Sequence, residues 1–234
     1  MKPPLSGADR LRGLFVTGTD TGVGKTEVSC ALLLEARAAG LDVGAMKPAE
    51  SGVGPGQPSD AERLGRASGG GDEPALVCPY RFQAPLAPAV AARLAGVEVR
   101  LDVILAAARA LAARHAALLV EGAGGLLVPL TPRETFADLA VALGLPVLVV
   151  ARAGLGTVNH TALTVEALRA RGLLVAGVVL NRTAPGDDPS VPHNAAEVTR
   201  LTGVAVLASL PYCSDIAARE ANLRSALRGK VQFS

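Results

Sequence analysis

Tryptophan is absent, and two tyrosines and four phenylalanines make up the whole aromatic content of 234 residues. A platform for single-stranded nucleic acid stacks bases on rings, and this chain has too few of them. An excess of one charge is also missing. Lys and Arg total 23 against 21 Asp and Glu, a formal net charge of +2. That balance leaves no electrostatic footprint for nucleic acid or for a membrane surface. Cysteine is sparse. Cys30, Cys78 and Cys213 lack metal-ligand spacing and form no disulfide framework. Reduced thiols in a cytosol are the simplest setting. Apolar runs such as Leu145–Ala151 have the length of strands, far short of the roughly 20 residues of a membrane helix. The opening MKPPLSGADR has no signal-peptide apolar stretch. A cytoplasmic protein with no nucleic-acid and no membrane partner is therefore expected. Lysine is scarce too: only Lys2, Lys25, Lys47 and Lys230 stand among the 23 basic residues, the rest being Arg. Lys2 and Lys230 are near the ends and read as solvated.

Half the residues are hydrophobic, and short aliphatic runs alternate with helix-period segments. This is the pattern of a parallel sheet covered by helices. Strands are expected at Leu14–Thr17, Val43–Lys47, Ala117–Glu121, Val147–Ala151, Val175–Leu180 and Val204–Leu207. Helices are expected at Lys25–Ala39, Ser59–Ala67, Leu101–His115, Thr135–Leu143, Val158–Arg171 and Ala195–Thr202. Gly40, Gly144, Gly172 and Gly203 follow four of them, where a residue must tolerate positive φ. Residues 52–58 and 68–74 are loops by composition. The expected architecture is a three-layer α/β fold on one domain spanning 1–234, with a loop-rich insertion or lid at about 50–100.

The sharpest motif is Gly18-Thr-Asp-Thr-Gly-Val-Gly24-Lys25-Thr26, after a strand and opening a helix. Glycine amides and a helix N-terminus together form a cradle for phosphate. Lys25 would reach the outer phosphates and the Thr26 hydroxyl would ligand Mg²⁺. The usual loop has four residues between its glycines, whereas Gly18 and Gly24 are separated by five. Either the loop is one residue longer or Thr19 replaces the first glycine, and the mouth leaves room for Thr21 to face a second substrate. Lys47 ends the second strand, at the edge of a parallel sheet that faces the ligand crevice. In so Arg-rich a chain a lysine there points to a compact ammonium held beside a transferring phosphoryl group. Glu121 ends a buried strand before Gly122-Ala-Gly-Gly125, where nucleotide hydrolases place a carboxylate near the metal. Asp60 is a second carboxylate candidate, although Ser59-Asp60 also reads as a helix start. Asn181 ends a strand and either bonds a nucleobase edge or forms a turn. His160 reads as a packed or capping residue, and His115 and His193 as surface positions.

Together, Phe15 through Thr26, Lys47-Pro-Ala-Glu-Ser51-Gly, Ser59-Asp60 and Val120-Glu-Gly-Ala-Gly-Gly125 resemble ATP-dependent dethiobiotin synthetases. Gly154-Leu-Gly-Thr-Val-Asn-His160, Gly177-Val-Val-Leu-Asn181 and Leu210-Pro211 look like the same family, so the likeness covers roughly residues 14–213. The resemblance implies a P-loop fold and closure of a ureido ring on 7,8-diaminononanoate with carbon dioxide and MgATP. It implies that Gly22, Val23, Gly24, Lys25, Thr26 and Glu27 hold the phosphates, and that Thr26, Asp60 and Glu121 surround Mg²⁺. Lys47 corresponds to the family's catalytic lysine, with Lys25 beside it, and Thr21 and Ser51 to contacts with the diamine. Gly122, Ala123 and Gly124 would line nucleotide and diamine, while Asn181, Arg182, Pro211, Tyr212 and Cys213 would border the adenine. The family is a homodimer, and the loop from Gly154 to Asn159 would bind the substrate's carboxylate tail across the interface, where a helix N-terminus suits an anion. A competing class is the partitioning or septum-placement ATPases. They commonly carry an additional lysine near the start of the phosphate loop, where this chain has Thr17, Gly18 and Thr19. A cobalamin-pathway amide synthetase is a second alternative, but it usually has an additional glutaminase domain.

Overall fold

Leu14 and Val16 of the first strand pack on one face of the central sheet and Phe15 packs on the other, all three fully buried. Leu119 and Leu148 likewise face opposite to Leu118 and Val147. A strand buried on both faces has no polar side, so its sequence is a continuous aliphatic run. The computed structural model of this chain describes residues 11–54, 56 and 58–233. The expectations for Lys2 and the first ten residues lie outside that set, as do Pro55 and Gln57 of the loop at 52–58.

Six parallel strands form the main sheet: β1 (Gly13–Gly18), β2 (Val43–Met46), β5 (Ala117–Gly125), β6 (Val147–Arg152), β7 (Val175–Asn181) and β8 (Val206–Leu210). Their order is β2-β5-β1-β6-β7-β8. One core includes buried residues of α5 (Leu101–Ala112), α6 (Phe136–Leu143), α7 (Thr157–Arg169) and α8 (Val191–Thr202). The opposite core includes α1 (Lys25–Ala38), Leu64 of α2 (Asp60–Ser68) and Leu223 and Leu227 of α9 (Ile216–Leu227). The result is the expected three-layer α/β architecture with helices on both faces.

Within residues 50–100 the sequence reading found only the α2 helix. The structure adds β3 (Ala49–Ser51) paired in parallel with β4 (Tyr80–Phe82), and two short helices, α3 (Pro74–Val77) and α4 (Pro88–Ala95). Three-residue strands are too short to show a periodicity. The Val204–Leu207 strand is shifted to Val206–Leu210, and α8 starts four residues earlier than expected, with proline in its first turn. The helix expected to run to His115 ends at Ala112, which frees His115.

Candidate functional site

Because the sheet is parallel, the carboxyl ends of β1, β2, β5 and β7 meet at one edge, and register places particular side chains there. Val16 of β1 is level with Glu121, and Met46 of β2 is level with Val120, so Lys47 emerges beside Glu121. β5 lies between β1 and β2, which opens the crevice where ligands of open α/β sheets bind.

After β1, Thr19 still donates its N–H to Val150 at 3.0 Å. A methyl group at Gly18 would come within 3.0 Å of Asp20 O, Lys25 Nζ and Val23 Cγ2. Gly18 is thus the enclosed glycine of the loop, which is one residue longer than usual. Gly24 begins α1 at φ +91°, and a Cβ there would lie 2.1 Å from Asn181 Nδ2. No side chain caps α1, so its first amides remain available to an anion. Asn181 donates to Val23 O at 3.0 Å, bracing the loop from β7. Lys25 folds back onto Asp20 O at 3.0 Å. Burial, helped by the nearby Lys47 charge, lowers its pKa to about 8.

Lys47 is the hub of the charged cluster. Its Nζ lies 2.6 Å from Glu121 Oε1 and 3.0 Å from Asp60 Oδ2. Burial opposes its charge, but these two carboxylates outweigh burial and hold its pKa above the ordinary lysine value. Thr26 donates its hydroxyl to Glu121 Oε1 at 2.9 Å. Glu121 is wholly buried, and its Oε2 has no protein partner. Burial works against the Asp60 carboxylate, but Lys47 and Thr26 hold its pKa below the usual value. These are hard oxygen donors, one hydroxyl and two carboxylates beside a phosphate cradle, and such a set suits Mg²⁺, which keeps phosphate and water among its ligands. No group of three His, Cys, Asp or Glu with metal-binding geometry occurs among the described residues.

A cavity of about 650 Å³ opens over this cluster, within the range of small-molecule sites. Thr21, Gly22, Gly24, Lys25, Thr26, Glu27, Lys47, Ser51, Asp60, Ala123, Gly124, Asn181 and Arg182 all line it. Val23 packs into the core, and Glu121 and Gly122 are buried beneath the wall. Pro211, Tyr212 and Cys213, the expected adenine border, are not among the residues lining this cavity; Thr183 and Arg219 of α9 stand there with Arg182. The strand β8 ends at Leu210, which carries the chain past the rim before α9 returns to it. Gly154 and Asn159 do not line it either. A methyl group at Gly154 would meet Asp188, and Asn159 is exposed on α7. Sequence reasoning also missed Glu50, Arg63 and the 85–88 turn in the cavity wall. Arg63 was detectable in principle: it stands three residues after Asp60, hence on the same helix face. Arg219 carries no local motif. His115, expected at the surface, is half-buried and tied down. Its two ring nitrogens lie 2.8 Å from Asp42 and 3.0 Å from Asp72.

A phosphate loop, a buried carboxylate–lysine pair and a parallel sheet define a P-loop nucleotide-binding protein. A family model described as an AAA domain matches residues 12–220. The crystal structure of a ParA family ATPase from Chlorobium tepidum TLS has the same fold. Its TM-score is 0.51 at 13% identity, over 93% of this chain and 92% of that one. The ATP-dependent dethiobiotin synthetase BioD of Anaeromyxobacter dehalogenans strain 2CP-1 is 71% identical over 223 residues, covering 95% of this chain and 100% of the relative. Enzymes of the same name from Caulobacter vibrioides strain NA1000 and Bacillus cereus strain B4264 are 47% and 42% identical, over 76% and 92% of this chain and 83% and 90% of theirs. The chain belongs to the dethiobiotin synthetase family.

Proposed function

We infer that this protein is an ATP-dependent dethiobiotin synthetase, a ligase forming carbon–nitrogen bonds in biotin biosynthesis. The observation that carries the reading is Lys47, held as a cation by Glu121 and Asp60 at the mouth of the phosphate loop. One amine of 7,8-diaminononanoate adds to carbon dioxide and loses a proton, giving a carbamate. A carbamate oxygen then attacks the γ-phosphorus and ADP leaves. The second amine attacks the carbonyl carbon of the resulting anhydride, inorganic phosphate departs, and the ureido ring closes. Carbamate and triphosphate are both anions, so the chain's task is to bring them together and neutralise charge as it shifts. Lys47 serves as a fixed positive charge rather than a base, because its two carboxylate partners keep it protonated. Lys25 leaves Asp20 O for the outer phosphates, joined by the amides of Gly22 to Glu27. Thr21 and Ser51 hold the diamine, with Gly122, Ala123 and Gly124 between it and the nucleotide. Thr26, Asp60 and Glu121 would hold Mg²⁺, which neutralises the phosphate oxygens when bound.

Residues 50–100 are read as the lid of a single domain, and Arg182 as part of the adenine border. Asn181 reaches that border from beneath the loop. Gly154 and Asn159, which do not line the cavity of their own chain, take the substrate's carboxylate tail from a partner protomer in a homodimer. Three free thiols suit a reducing cytoplasm, and no described helix is long and apolar enough to cross a membrane. Incubation with MgATP, 7,8-diaminononanoate and ¹³C-bicarbonate tests the reaction. The label should appear in the ureido carbon of dethiobiotin, and unlabelled or absent product would refute it.

A further inference from the structure

Glu50 stands three residues after Lys47 in a motif that assigned it no role, yet it is 6% exposed, a costly place for a carboxylate. Both of its oxygens are engaged at the start of α2. Oε1 accepts from Asp60 N at 2.5 Å, and Oε2 accepts from Ala61 N at 3.4 Å. A helix N-terminus favours a carboxylate, but this one already has a complete capping box. Ser59 Oγ accepts from Glu62 N, and Glu62 Oε2 accepts from Ser59 N, both at 3.2 Å. The box satisfies Ser59 N and Glu62 N, and Glu50 takes the two amides between them, those of Asp60 and Ala61. What distinguishes it is the residue whose backbone it holds. Asp60 is gripped at its N–H by Glu50 and at its carboxylate by Lys47, and both grips come from the same stretch of chain after β2.

We propose that Glu50 is a positioning residue that fixes the Asp60 carboxylate against Lys47 and the phosphate loop, and so sets how tightly the site couples Mg²⁺ to nucleotide. This rests on the reading of Asp60 as a metal-side carboxylate given above. Without Glu50, α2 keeps its own cap but is free to shift along the segment at 47–51, and Asp60 moves with it. Supporting partners of metal-binding residues typically contribute about 10- to 100-fold in metal affinity.

The test is calorimetric titration of ADP with and without Mg²⁺, which needs no turnover. Glu50→Ala should weaken the Mg²⁺-dependent part of ADP affinity by about tenfold or more, with metal-free affinity unchanged. Glu50→Gln, which keeps one acceptor, should fall between. Ser59→Ala, which removes the cap but not the tether, should lower thermal stability and leave the Mg²⁺ dependence near that of the parent. Adding Glu50→Ala to Asp60→Asn should cost little more than Asp60→Asn alone, because the first acts through the second. Full additivity, or an equal loss of Mg²⁺ dependence in Ser59→Ala, would overturn the proposal. If Asp60→Asn affects Mg²⁺ dependence and Glu50→Ala does not, positioning by Glu50 fails alone. If Asp60→Asn itself has no effect, the metal-side reading of Asp60 fails and takes this inference with it.

Discussion

Lys47 and Lys25 are both buried, but their surroundings push them in opposite directions. Lys47 has two carboxylates, so it is held as a cation; Lys25 has no carboxylate in contact, and burial, helped by the Lys47 charge, lowers its pKa to about 8. Replacing Lys47 with Met should leave MgADP affinity within a few-fold and reduce turnover by about 10²–10³ or more, the scale of losing a charge-stabilising donor. It should also cost on the order of 3–5 kcal/mol of stability, since Glu121 would be left buried without its cation. Denaturant melts and steady-state rates check the two parts, and unchanged turnover would remove Lys47 from the reaction. For Lys25, bound phosphates supply the opposite charge, so its pKa must rise on binding. Below pH 8 the ammonium is already present. Above pH 8 binding must take up a proton, and affinity falls with pH up to the bound-state value. Calorimetry of MgADP at pH 9 in two buffers of different ionisation enthalpy should read uptake of close to one proton; no uptake would contradict the lowered pKa. Both lysines were legible in the sequence because lysine is rare in this chain. Glu50 was not, because its role depends on a backbone amide ten residues away that only the folded α2 presents.

At the scale of elements, the six sheet strands and six of the nine described helices announce themselves through aliphatic runs and 3.6-residue periodicity. The exceptions have physical reasons. β3 and β4 are three residues each, α3 is a single turn, α4 is only eight residues in a loop-rich stretch, and α9 buries only Leu223 and Leu227, so none carries a long pattern of its own. The phosphate loop and Lys47 were legible because each directly follows a strand, and Glu121 because it closes the aliphatic run of β5 before a glycine-rich stretch. Arg219 in the cavity wall was not, because its place depends on the path from β8 to α9. The loop at 69–73 is held to the sheet by His115, clamped between Asp42 and Asp72, with Arg114 paired to Asp72 and Glu73. Burial disfavours the charged ring, but hydrogen bonds to the two aspartates raise the His115 pKa above its ordinary value. The stabilisation is full below about pH 6.5 and disappears as pH rises through the folded-state value. Urea melts from pH 5.5 to 9 should show the parent losing its advantage over His115→Asn as pH rises; a constant difference would contradict the clamp.

At the scale of the whole molecule, one cavity gathers the phosphate loop, the charged cluster and Ser51, while Gly154 and Asn159 lie elsewhere. In the proposed homodimer these two residues would serve the partner's cavity. Leu127, Leu155 and Leu163 are 51%, 81% and 57% exposed, apolar surface that a partner protomer would cover. Sedimentation should therefore show a dimer at working concentration, and Asn159→Ala should raise the KM for the diamine with little change for ATP. A monomer would leave the tail site without its second half. In the proposed reaction, phosphoryl transfer in this cavity waits for the carbamate. The most direct measurement is phosphate release from MgATP with 7,8-diaminononanoate and bicarbonate each present or withheld. Release is expected only with all components present, one phosphate for each dethiobiotin formed. Steady release that ignores the diamine would contradict it, leaving a nucleotide hydrolase whose phosphate loop serves some other partner.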